Sequence, residues 1–221
     1  MGKFLNAGQT CITIDYIVVE KSVKDIFIQY LQEEIQKRYA DAEKKDDYAN
    51  IINVHHYERL CKLMDTENVV IKGRKNPEKR KISPAILPEA DFDHEIMKEG
   101  IFGPLLPIIS YNSLDEIIKN GPKPLACYIF TENKKVANRL ISEISYGGGC
   151  VNDVFLHIAN HHMPFGGVGY SGMGGYHGKF SFDTFSHKKG VVKNKTGIDI
   201  GLRYAPYDDK KLKLFKRFFY F

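Results

Sequence analysis

The chain has 221 residues, 43% of them apolar and 27% charged, with a formal net charge of +5 at pH 7. This length allows one or two domains with a buried core. The 32 basic and 27 acidic residues are mostly intermixed along the sequence, which argues against a nucleic-acid-binding protein.

Four cysteines, Cys11, Cys61, Cys127 and Cys150, are too few and too widely spaced for a disulfide framework. We therefore expect a reducing compartment and a cytoplasmic protein. The first residues lack the basic and apolar progression of a signal peptide, and no apolar run approaches the roughly 18 residues of a membrane span. The sequence predicts neither secretion nor a transmembrane anchor.

Strands and helices are predicted to alternate from residue 13 onward. Residues 13–20 are rich in β-branched side chains and predict a strand. Ser22, with Asp25 three positions later, predicts a helix start of the capping-box type. The apolar positions expected on one face of this helix are Ile26, Phe27, Tyr30, Leu31 and Ile35.

The same alternation continues as far as residue 152. The predicted elements are a helix over 51–64, strands over 69–72 and 105–111, a helix opened by Ser113 with Glu116, a strand over 125–130, a helix over 134–145 and a turn at 147–149. The stretch 73–88, rich in Lys, Arg and Pro, predicts an extended surface connection. Such alternation is typical of parallel strands joined by crossover helices, so we predict an α/β fold with a parallel sheet.

The cysteines differ in their surroundings. Cys11 has polar neighbours, Asn6, Gln9 and Thr10, and Gly8 allows the backbone to approach closely. A catalytic thiol needs such surroundings, because a free thiol has a pKa near 8.5 and is mostly protonated at neutral pH. The other three cysteines lie in apolar periodic segments and are expected in the core. Cys11 is therefore predicted to be the only strongly alkylatable thiol.

The sequence also carries a glycine motif and a histidine pair. Residues 167–172 satisfy G-x-G-x-x-G, but the context lacks the preceding buried strand and following helix of a dinucleotide-binding turn. We interpret the segment as a flexible loop, with a plain Gly-rich turn as the alternative. His161 and His162 are adjacent and lack further ligands at standard spacing, so no metal site is predicted. Asn152 and Asp153 are expected to hydrogen-bond in the turn before this loop.

Four motifs together resemble one enzyme family. Residues 2–11 read Gly-Lys-Phe-Leu-Asn-Ala-Gly-Gln-Thr-Cys, and residues 164–169 read Pro-Phe-Gly-Gly-Val-Gly, continuing to Ser-Phe-Asp-Thr-Phe-Ser-His at 181–187. Between them lie Ile-Phe-Gly-Pro-Leu-Leu-Pro at 101–107 and Val-Asn-Asp at 151–153. In order and spacing these motifs resemble the class 3 and fatty aldehyde dehydrogenase branch of the aldehyde dehydrogenase superfamily, over roughly residues 2–205.

The resemblance implies a domain organisation and a set of site residues. The catalytic domain of the aldehyde dehydrogenase fold is expected over residues 1–187, with an oligomerisation strand near Gly190 to Lys195 and a basic, aromatic tail completing 188–221. Cys11 is implied as the nucleophile and Phe165 as a contact of the aldehyde chain, at a loop lining the substrate entrance. Phe102 is implied to pack near the nicotinamide ribose of NAD or NADP.

One position departs from the family pattern. The family usually has a glutamate directly before the Ile of the Phe-Gly-Pro motif, where it holds the ribose hydroxyls, whereas this chain has Gly100 there and Glu99 one residue earlier. Two outcomes stay open at this stage. Either Glu99 reaches the ribose through a small backbone shift, or affinity for the cofactor has been lost.

The resemblance leaves two functions open. These 221 residues show no counterpart of the family's Gly-rich phosphate turn, oxyanion asparagine or general-base glutamate. The first function is part of an NAD(P)-dependent aldehyde dehydrogenase, oxidising an aldehyde to a carboxylic acid through a Cys11 thiohemiacetal and thioester, with no oxidation by this chain alone. The second is an inactive fragment that assembles with a complementary N-terminal chain or an intact paralogue.

The expected partners follow from these two functions. They are an aldehyde substrate and either a further copy, giving a homo-oligomer such as a homodimer, or the complementary chain. The basic and aromatic tail over 209–221 also suits weak contact with an anionic membrane surface, which would make the protein membrane-peripheral. The alternative is that the tail covers the catalytic core or a dimer partner.

Overall fold

The structure is a computed structural model that describes residues 1–66, 73–197 and 199–218. The chain divides into two compact units, Met1–Phe185 and Ser186–Phe221. Seven strands, β1 to β7, lie in the described part of the first unit. In chain order they are Ile17–Glu20, Lys75–Asn76, Lys81–Ile82, Ala85–Ala90, Leu105–Tyr111, Ala126–Ile129 and Gly148–Val151.

The described residues also form seven α-helices, α1 to α7. In chain order they are Lys24–Tyr39, Val54–Thr66, Leu114–Asn120, Lys134–Glu143, Leu156–Ala159, Gly178–Thr184 and Asp209–Phe218. Helix α7 belongs to the second unit and the others to the first. Within the described ranges, no helix is both long enough and apolar enough to cross a membrane.

The strands form two parallel sheets and one short hairpin. The larger sheet has the order β1-β5-β4, and the smaller sheet pairs β6 with β7, in both cases with parallel strands. Strands β2 and β3 pair antiparallel. Parallel strands with intervening helices confirm the predicted α/β fold, in which covering helices allow both faces of a sheet to be buried.

The core lies on both faces of the larger sheet. Along β4, Ala85 and Leu87 pack in one apolar cluster with Leu60 of α2, whereas Ile86 between them packs in a second cluster with Ile28 of α1. This alternation follows from the period of two in a strand. The two helices therefore cover opposite faces of the sheet, and β5 is buried between them.

Helix α1 begins later than predicted, and its buried face matches the predicted one at Phe27, Leu31 and Ile35 only. Residues 21–23 form a 3-10 turn, and the Ser22 hydroxyl donates to the Glu20 carboxylate at 2.8 Å instead of capping the helix. The predicted capping box is therefore wrong. Lys24, Ile28 and Ile35 are the buried residues of the helix. Phe27 and Leu31 are partly buried as predicted, but the predicted core positions Ile26 and Tyr30 are exposed.

The prediction for residues 73–88 is also wrong. This stretch contains β2, β3 and the start of β4, and Ile82, Ile86 and Leu87 are among its buried side chains. Pro84 is fully buried directly before β4, a position that a proline tolerates at the start of a strand. The predicted strand over 69–72 lies outside the described residues.

Other predicted elements are confirmed with small shifts. Strand β5 has the predicted bounds, β6 begins one residue later than predicted, and α4 begins at the predicted residue. Ser113 caps α3 by accepting from the Asp115 amide at 3.3 Å. The predicted turn at 147–149 is wrong, because Gly148 and Gly149 belong to β7. A side chain at Gly149 would overlap the Cys127 carbonyl, so glycine here allows close strand pairing.

The second unit contains a 3-10 turn and helix α7. Residues 190–195, predicted as an oligomerisation strand, make no strand pairing with any other residue that the structure describes. Pairing with another subunit therefore stays a prediction. The Lys211 ammonium donates to the carbonyls of Tyr204 and Pro206 at 2.8 and 2.9 Å, which ties α7 to the preceding turn.

Candidate active site

The thiol segment is a tight turn that presses against the Phe-Gly-Pro segment. Asn6, Ala7 and Gly8 have φ values of 50°, 52° and 78° in succession, and a side chain at Gly8 would overlap the Gly103 carbonyl. Only glycine adopts this conformation without strain and allows this approach. Cys11 follows in the next turn and is exposed. The structure therefore brings an exposed thiol close to the segment that contains Phe102.

The side chain of Gln9 fixes this turn to a neighbouring loop. Its amide nitrogen donates to the carbonyls of Asn6 and Asn50 at 3.1 and 2.9 Å, and its Oε1 accepts from the Ile52 amide at 2.9 Å. The Asn6 side chain returns a hydrogen bond to the Gln9 carbonyl at 3.1 Å. The sequence indicated only that these residues are polar neighbours of Cys11, and the structure shows that they orient its backbone.

The ion pair of Lys3 and Asp15 connects the thiol segment to the Phe102 segment. The Lys3 ammonium is 3% exposed and lies 3.6 Å from the Asp15 carboxylate. Burial lowers the pKa of Lys3 to about 8, and the Asp15 charge only partly opposes this shift. The other carboxylate oxygen of Asp15 accepts from the Ile101 amide at 3.1 Å. A buried ammonium paired with a partly exposed carboxylate therefore holds the backbone directly before Phe102.

Phe102 and Glu99 have different surroundings. Phe102 is 46% exposed and has a φ of 44°, so a non-glycine residue is held in the left-handed region with its ring facing solvent. Glu99 pairs with Arg59 of α2 at 2.9 Å, and Arg59 also donates to the Ile101 carbonyl. In this structure the Glu99 carboxylate is therefore engaged by Arg59.

Tyr128 joins the thiol segment to the smaller sheet. Its hydroxyl donates to the Ile12 carbonyl, one residue after Cys11, at 2.8 Å. Its ring lies on β6 and packs edge-on against Phe155 and His157, with centroids 6.1 and 5.8 Å apart. Burial raises the pKa of Tyr128 well above its ordinary value, so the hydroxyl keeps its proton. The sequence predicted the strand β6 but gave no signal for this contact.

Phe165 lies in a loop held by close backbone contacts. It exchanges both backbone hydrogen bonds with Tyr176, at 3.1 and 2.9 Å, and its ring packs against His157 and His177. His177 is buried, and its Nδ1 lies 2.9 Å from the Met163 carbonyl.

The glycines of the same loop are needed for close packing. A side chain at Gly166 would overlap the Gly174 carbonyl, and one at Gly167 would overlap the Ser171 carbonyl. Residues 169–171 form a 3-10 turn in which Ser171 both accepts from the Val168 amide and donates to its carbonyl. The Gly-rich segment is therefore a closely packed turn built around a 3-10 turn, and its flexibility stays a prediction.

Asn152 fixes the start of the connection to this loop. Its side chain accepts from the Thr131 amide at 2.9 Å and donates to the Thr131 carbonyl at 3.0 Å, so it extends the pairing of the smaller sheet by one residue. The Asp153 carboxylate accepts from the Val154 amide at 2.7 Å. The Asp153 bond lies within the turn, as the sequence predicted, whereas the Asn152 side chain bonds across the sheet to Thr131, 21 positions away.

The three other cysteines are only partly buried. Burial raises the pKa of the Cys61 thiol, and it raises that of Cys127 to about 11. Cys150 lies 3.6 Å from the Nδ1 of His157, a contact that the expectation of an inert core cysteine missed. In the described part of the chain, no group of three or more His, Cys, Asp or Glu side chains is arranged to hold a metal ion.

Comparisons with known proteins identify the family of this chain. The sequence model described as the aldehyde dehydrogenase family matches residues 1–191. The 4,4'-diaponeurosporen-aldehyde dehydrogenase of Staphylococcus aureus is 46% identical over 99% of this chain and 49% of its own length. Aldehyde dehydrogenase family 3 member H1 of Arabidopsis thaliana is 46% identical over 96% and 45%. A solved structure, the substrate-bound state of Staphylococcus aureus AldH, has a TM-score of 0.84 at 45% identity over 98% and 48%.

The fold and the thiol segment define a parallel α/β domain that presents an exposed cysteine beside a Phe-Gly-Pro turn. The chain belongs to the aldehyde dehydrogenase family, and its family 3 relatives confirm the predicted class 3 resemblance. The general reaction of this family is NAD(P)-dependent aldehyde oxidation, and its members act on aldehydes and are typically oligomeric. The chain spans about half the length of the curated relatives it matches.

Proposed function

We propose that this chain supplies the nucleophile and part of the substrate contact of an aldehyde dehydrogenase, with Cys11 as the nucleophile. The observation that carries this proposal is the exposure of Cys11 at the end of a turn held by successive positive φ values and by Gln9. A turn with this much support keeps the thiol in place before substrate arrives. Such preorganisation reduces the entropy lost on reaching the reactive geometry.

The proposed chemistry begins at the Cys11 sulfur. Its thiolate attacks the aldehyde carbonyl and gives the oxyanion of a thiohemiacetal, which becomes a neutral thioester by loss of a hydride. A bound nicotinamide cofactor would supply the hydride acceptor. Water then hydrolyses the thioester, releases the carboxylic acid and restores the thiol. Phe165, which packs on His157 and Tyr176, is proposed to contact the aldehyde chain.

Phe102 fits the proposed nicotinamide contact better than Glu99 does. The Phe102 ring is half exposed, whereas the Glu99 carboxylate is paired with Arg59. A Cβ at Gly100 would lie 3.6 Å from the Phe102 ring and 3.7 Å from the Asp15 carboxylate, which are ordinary contacts. A Cβ at position 100 is therefore sterically allowed, although a carboxylate on it would lie near that of Asp15. We propose that cofactor binding here relies on Phe102 and is weaker than with that glutamate present.

The remaining parts of the reaction are proposed to come from outside these residues. Because the chain covers about half of its relatives, the phosphate cradle, the oxyanion donor and the general base are expected on a preceding segment or a complementary chain. We expect the 221-residue chain alone to show no NAD(P)-dependent oxidation. A homo-oligomer in the cytoplasm is proposed as the working state.

Ester hydrolysis tests the Cys11 assignment without requiring a cofactor. In this assay Cys11 would take the acetyl group of 4-nitrophenyl acetate and release 4-nitrophenolate. We expect Cys11→Ala to lower the initial release by roughly 10²-fold or more, since it removes the nucleophile. Cys61→Ala is the matched control and should retain the release. Equal release by the wild-type chain and Cys11→Ala would refute the assignment and favour the assembly-module function.

A further inference from the structure

A second cysteine has a histidine directly beside it. Cys150 lies on β7, and His157 on α5 returns its ring to the strand, so that its Nδ1 lies 3.6 Å from the Cys150 sulfur. Gly148 makes room for this ring, because a Cβ there would lie 3.1 Å from His157 Cδ2. Both the thiol and the imidazole are therefore held in place by the fold.

The His157 ring is buried with one nitrogen unused. The residue is 5% exposed, and among the described residues its Nε2 finds no hydrogen-bond partner. Buried polar atoms without partners are rare in native proteins, because their desolvation is not compensated, and they need an explanation. Burial lowers the pKa of His157 below its ordinary value, so the ring is neutral near pH 7 and can accept a proton.

Aromatic rings surround the imidazole. Tyr128 and Phe165 lie with their centroids 5.8 and 5.9 Å from that of His157. Aromatic faces at this distance attract a cation, which would stabilise the ring when it carries a proton. Tyr128 is also the register partner of Cys150 across the smaller sheet, so its ring and the thiol share one face.

We propose that Cys150 and His157 form a second reactive thiol site, a modification site for small α,β-unsaturated carbonyl compounds. A thiol is a soft nucleophile that adds to a conjugated carbonyl, and flat conjugated molecules suit a site walled by Tyr128 and Phe165. The Cys150 sulfur bonds to the β-carbon, and the electron pair of the carbon–carbon π bond moves to the α-carbon. His157 takes the thiol proton and passes it to the α-carbon. The result is an addition that needs no oxidant or reductant.

Cys127 provides an internal comparison for this site. It lies on the neighbouring strand β6, is partly buried like Cys150, and has Gly149 as its register partner, which places it on the opposite face. Burial raises the pKa of its thiol to about 11. The two cysteines therefore share a sheet and a burial class, and among the described residues only Cys150 has an imidazole nitrogen in contact.

Site-resolved alkylation with acrylamide tests the proposal. The full chain carrying Cys11→Ala is treated with acrylamide at pH 7.5, and the rate at each remaining cysteine is measured by peptide mass spectrometry. We expect Cys150 to react about tenfold faster than Cys127 in the folded chain and at a similar rate in urea. Adding His157→Phe, which keeps an aromatic ring, should remove about fivefold or more of the Cys150 rate and leave Cys127 unchanged.

Two results would overturn the proposal. One is a Cys150 rate no greater than the Cys127 rate in the folded Cys11→Ala chain, which decides the matter even if the His157 variant does not fold. The other is a fast Cys150 whose rate is unchanged by a folded His157 variant, because exposure alone would then explain the reactivity. His157→Asn, which keeps a polar but non-basic atom near the Nδ1 position, serves as the second variant, with circular dichroism to verify folding.

Discussion

The two parallel sheets of the first unit support their parts of the site in different ways. In β5, five of seven residues are buried, and the clusters on both faces are mostly aliphatic, with the buried aromatic residues Phe4, Tyr48 and Tyr57 among them. In β6 and β7 together, one of eight residues, Ile129, is buried. The Cys11 turn therefore rests on a dense core, whereas the Phe165 loop depends on aromatic rings, hydrogen bonds and close glycine contacts.

The difference teaches where each part of the site is vulnerable. Close-packed interiors resist deformation, so a change that intrudes on the turn above β5 should affect the whole first unit. The smaller sheet has fewer buried contacts, and regions of this kind open locally at a lower free energy than the global one. Changes near Phe165 should therefore alter the loop more than the fold.

A pair of matched glycine substitutions gives the largest expected effect. Gly8 and Gly169 both have positive φ, 78° and 63°, but a Cβ at Gly8 would overlap the Gly103 carbonyl, whereas one at Gly169 would meet only the Lys123 side chain at 3.5 Å. We expect Gly8→Ala to lower the free energy of unfolding by about 3 kcal/mol or more and Gly169→Ala by about 1 kcal/mol. Urea denaturation measures both, and similar losses would contradict the contrast between the regions.

The next largest effect is expected from removal of the buried Lys3, which should change how the free energy of unfolding depends on pH. The folded-state pKa of Lys3 is lowered from 10.5 to about 8, so between these values the unfolded chain binds the extra proton. Stability should therefore rise with pH above about 8, by at most about 1.4 kcal/mol per unit, and the burial cost is fully present below pH 8.

Comparison of variants isolates the effect of Lys3 from that of the other titrating groups. We expect the free energy of unfolding of the wild type, relative to Lys3→Met, to rise by roughly 2 kcal/mol between pH 8 and pH 10. Lys37→Met, which removes an exposed lysine of α1, is the control for loss of one lysine. Parallel pH profiles for the wild type and Lys3→Met would show that the Lys3 ammonium is solvated.

Much of the fold could be predicted because local sequence decides it. Strand β5 has an apolar run between breaks, and Ser113 caps α3 through contacts within two residues. The stretch 73–88 was missed because its lysines and arginines obscure the short apolar run Ile82 to Leu87, which is buried by distant residues. Propensity could not show this, since tertiary packing overrides it.

The site divides in the same way. Cys11, Phe102 and Phe165 were found through motifs, whereas the contacts that orient them link residues far apart in the sequence. Gln9 binds the Asn50 carbonyl 41 positions away, and Tyr128 reaches Ile12 across 116 positions. No periodicity or spacing indicates such pairs. Arg59 likewise lay in a predicted helix with no sign that it would engage Glu99.

Loss of the hydrogen bond between Tyr128 of the smaller sheet and Ile12 beside Cys11 should have a smaller effect on stability. Tyr128→Phe removes the hydrogen bond to the Ile12 carbonyl and keeps the ring packing. We expect a loss of about 1 kcal/mol in the free energy of unfolding, together with a changed alkylation rate at Cys11. Tyr170→Phe, at a fully exposed tyrosine, should change neither quantity. An unaltered Cys11 rate in Tyr128→Phe would show that the two regions act independently.

Changes in the tail, which lies in the second unit, are expected to have the smallest effect on the fold of the first unit. Helix α7 is described over Asp209–Phe218, has no buried residue, and combines basic with apolar side chains. Its basic residues are Lys210, Lys211, Lys213, Lys216 and Arg217, and its apolar residues are Leu212, Leu214, Phe215 and Phe218. An interfacial helix of this composition binds anionic membranes through its apolar face and through about 1 kcal/mol per basic residue near the surface.

Liposome flotation separates a membrane role of α7 from a structural one. We expect the chain to float with phosphatidylserine-containing vesicles, to float less at high salt and with phosphatidylcholine alone, and to lose flotation when residues 209–221 are removed. Lys213→Glu with Lys216→Glu should reduce flotation, while Lys211, which donates to two carbonyls within its own unit, should matter less. The unfolding midpoint of the first unit should not change. If neither form floats and the shortened chain aggregates or loses its dimer, the apolar residues of α7 cover protein and not lipid.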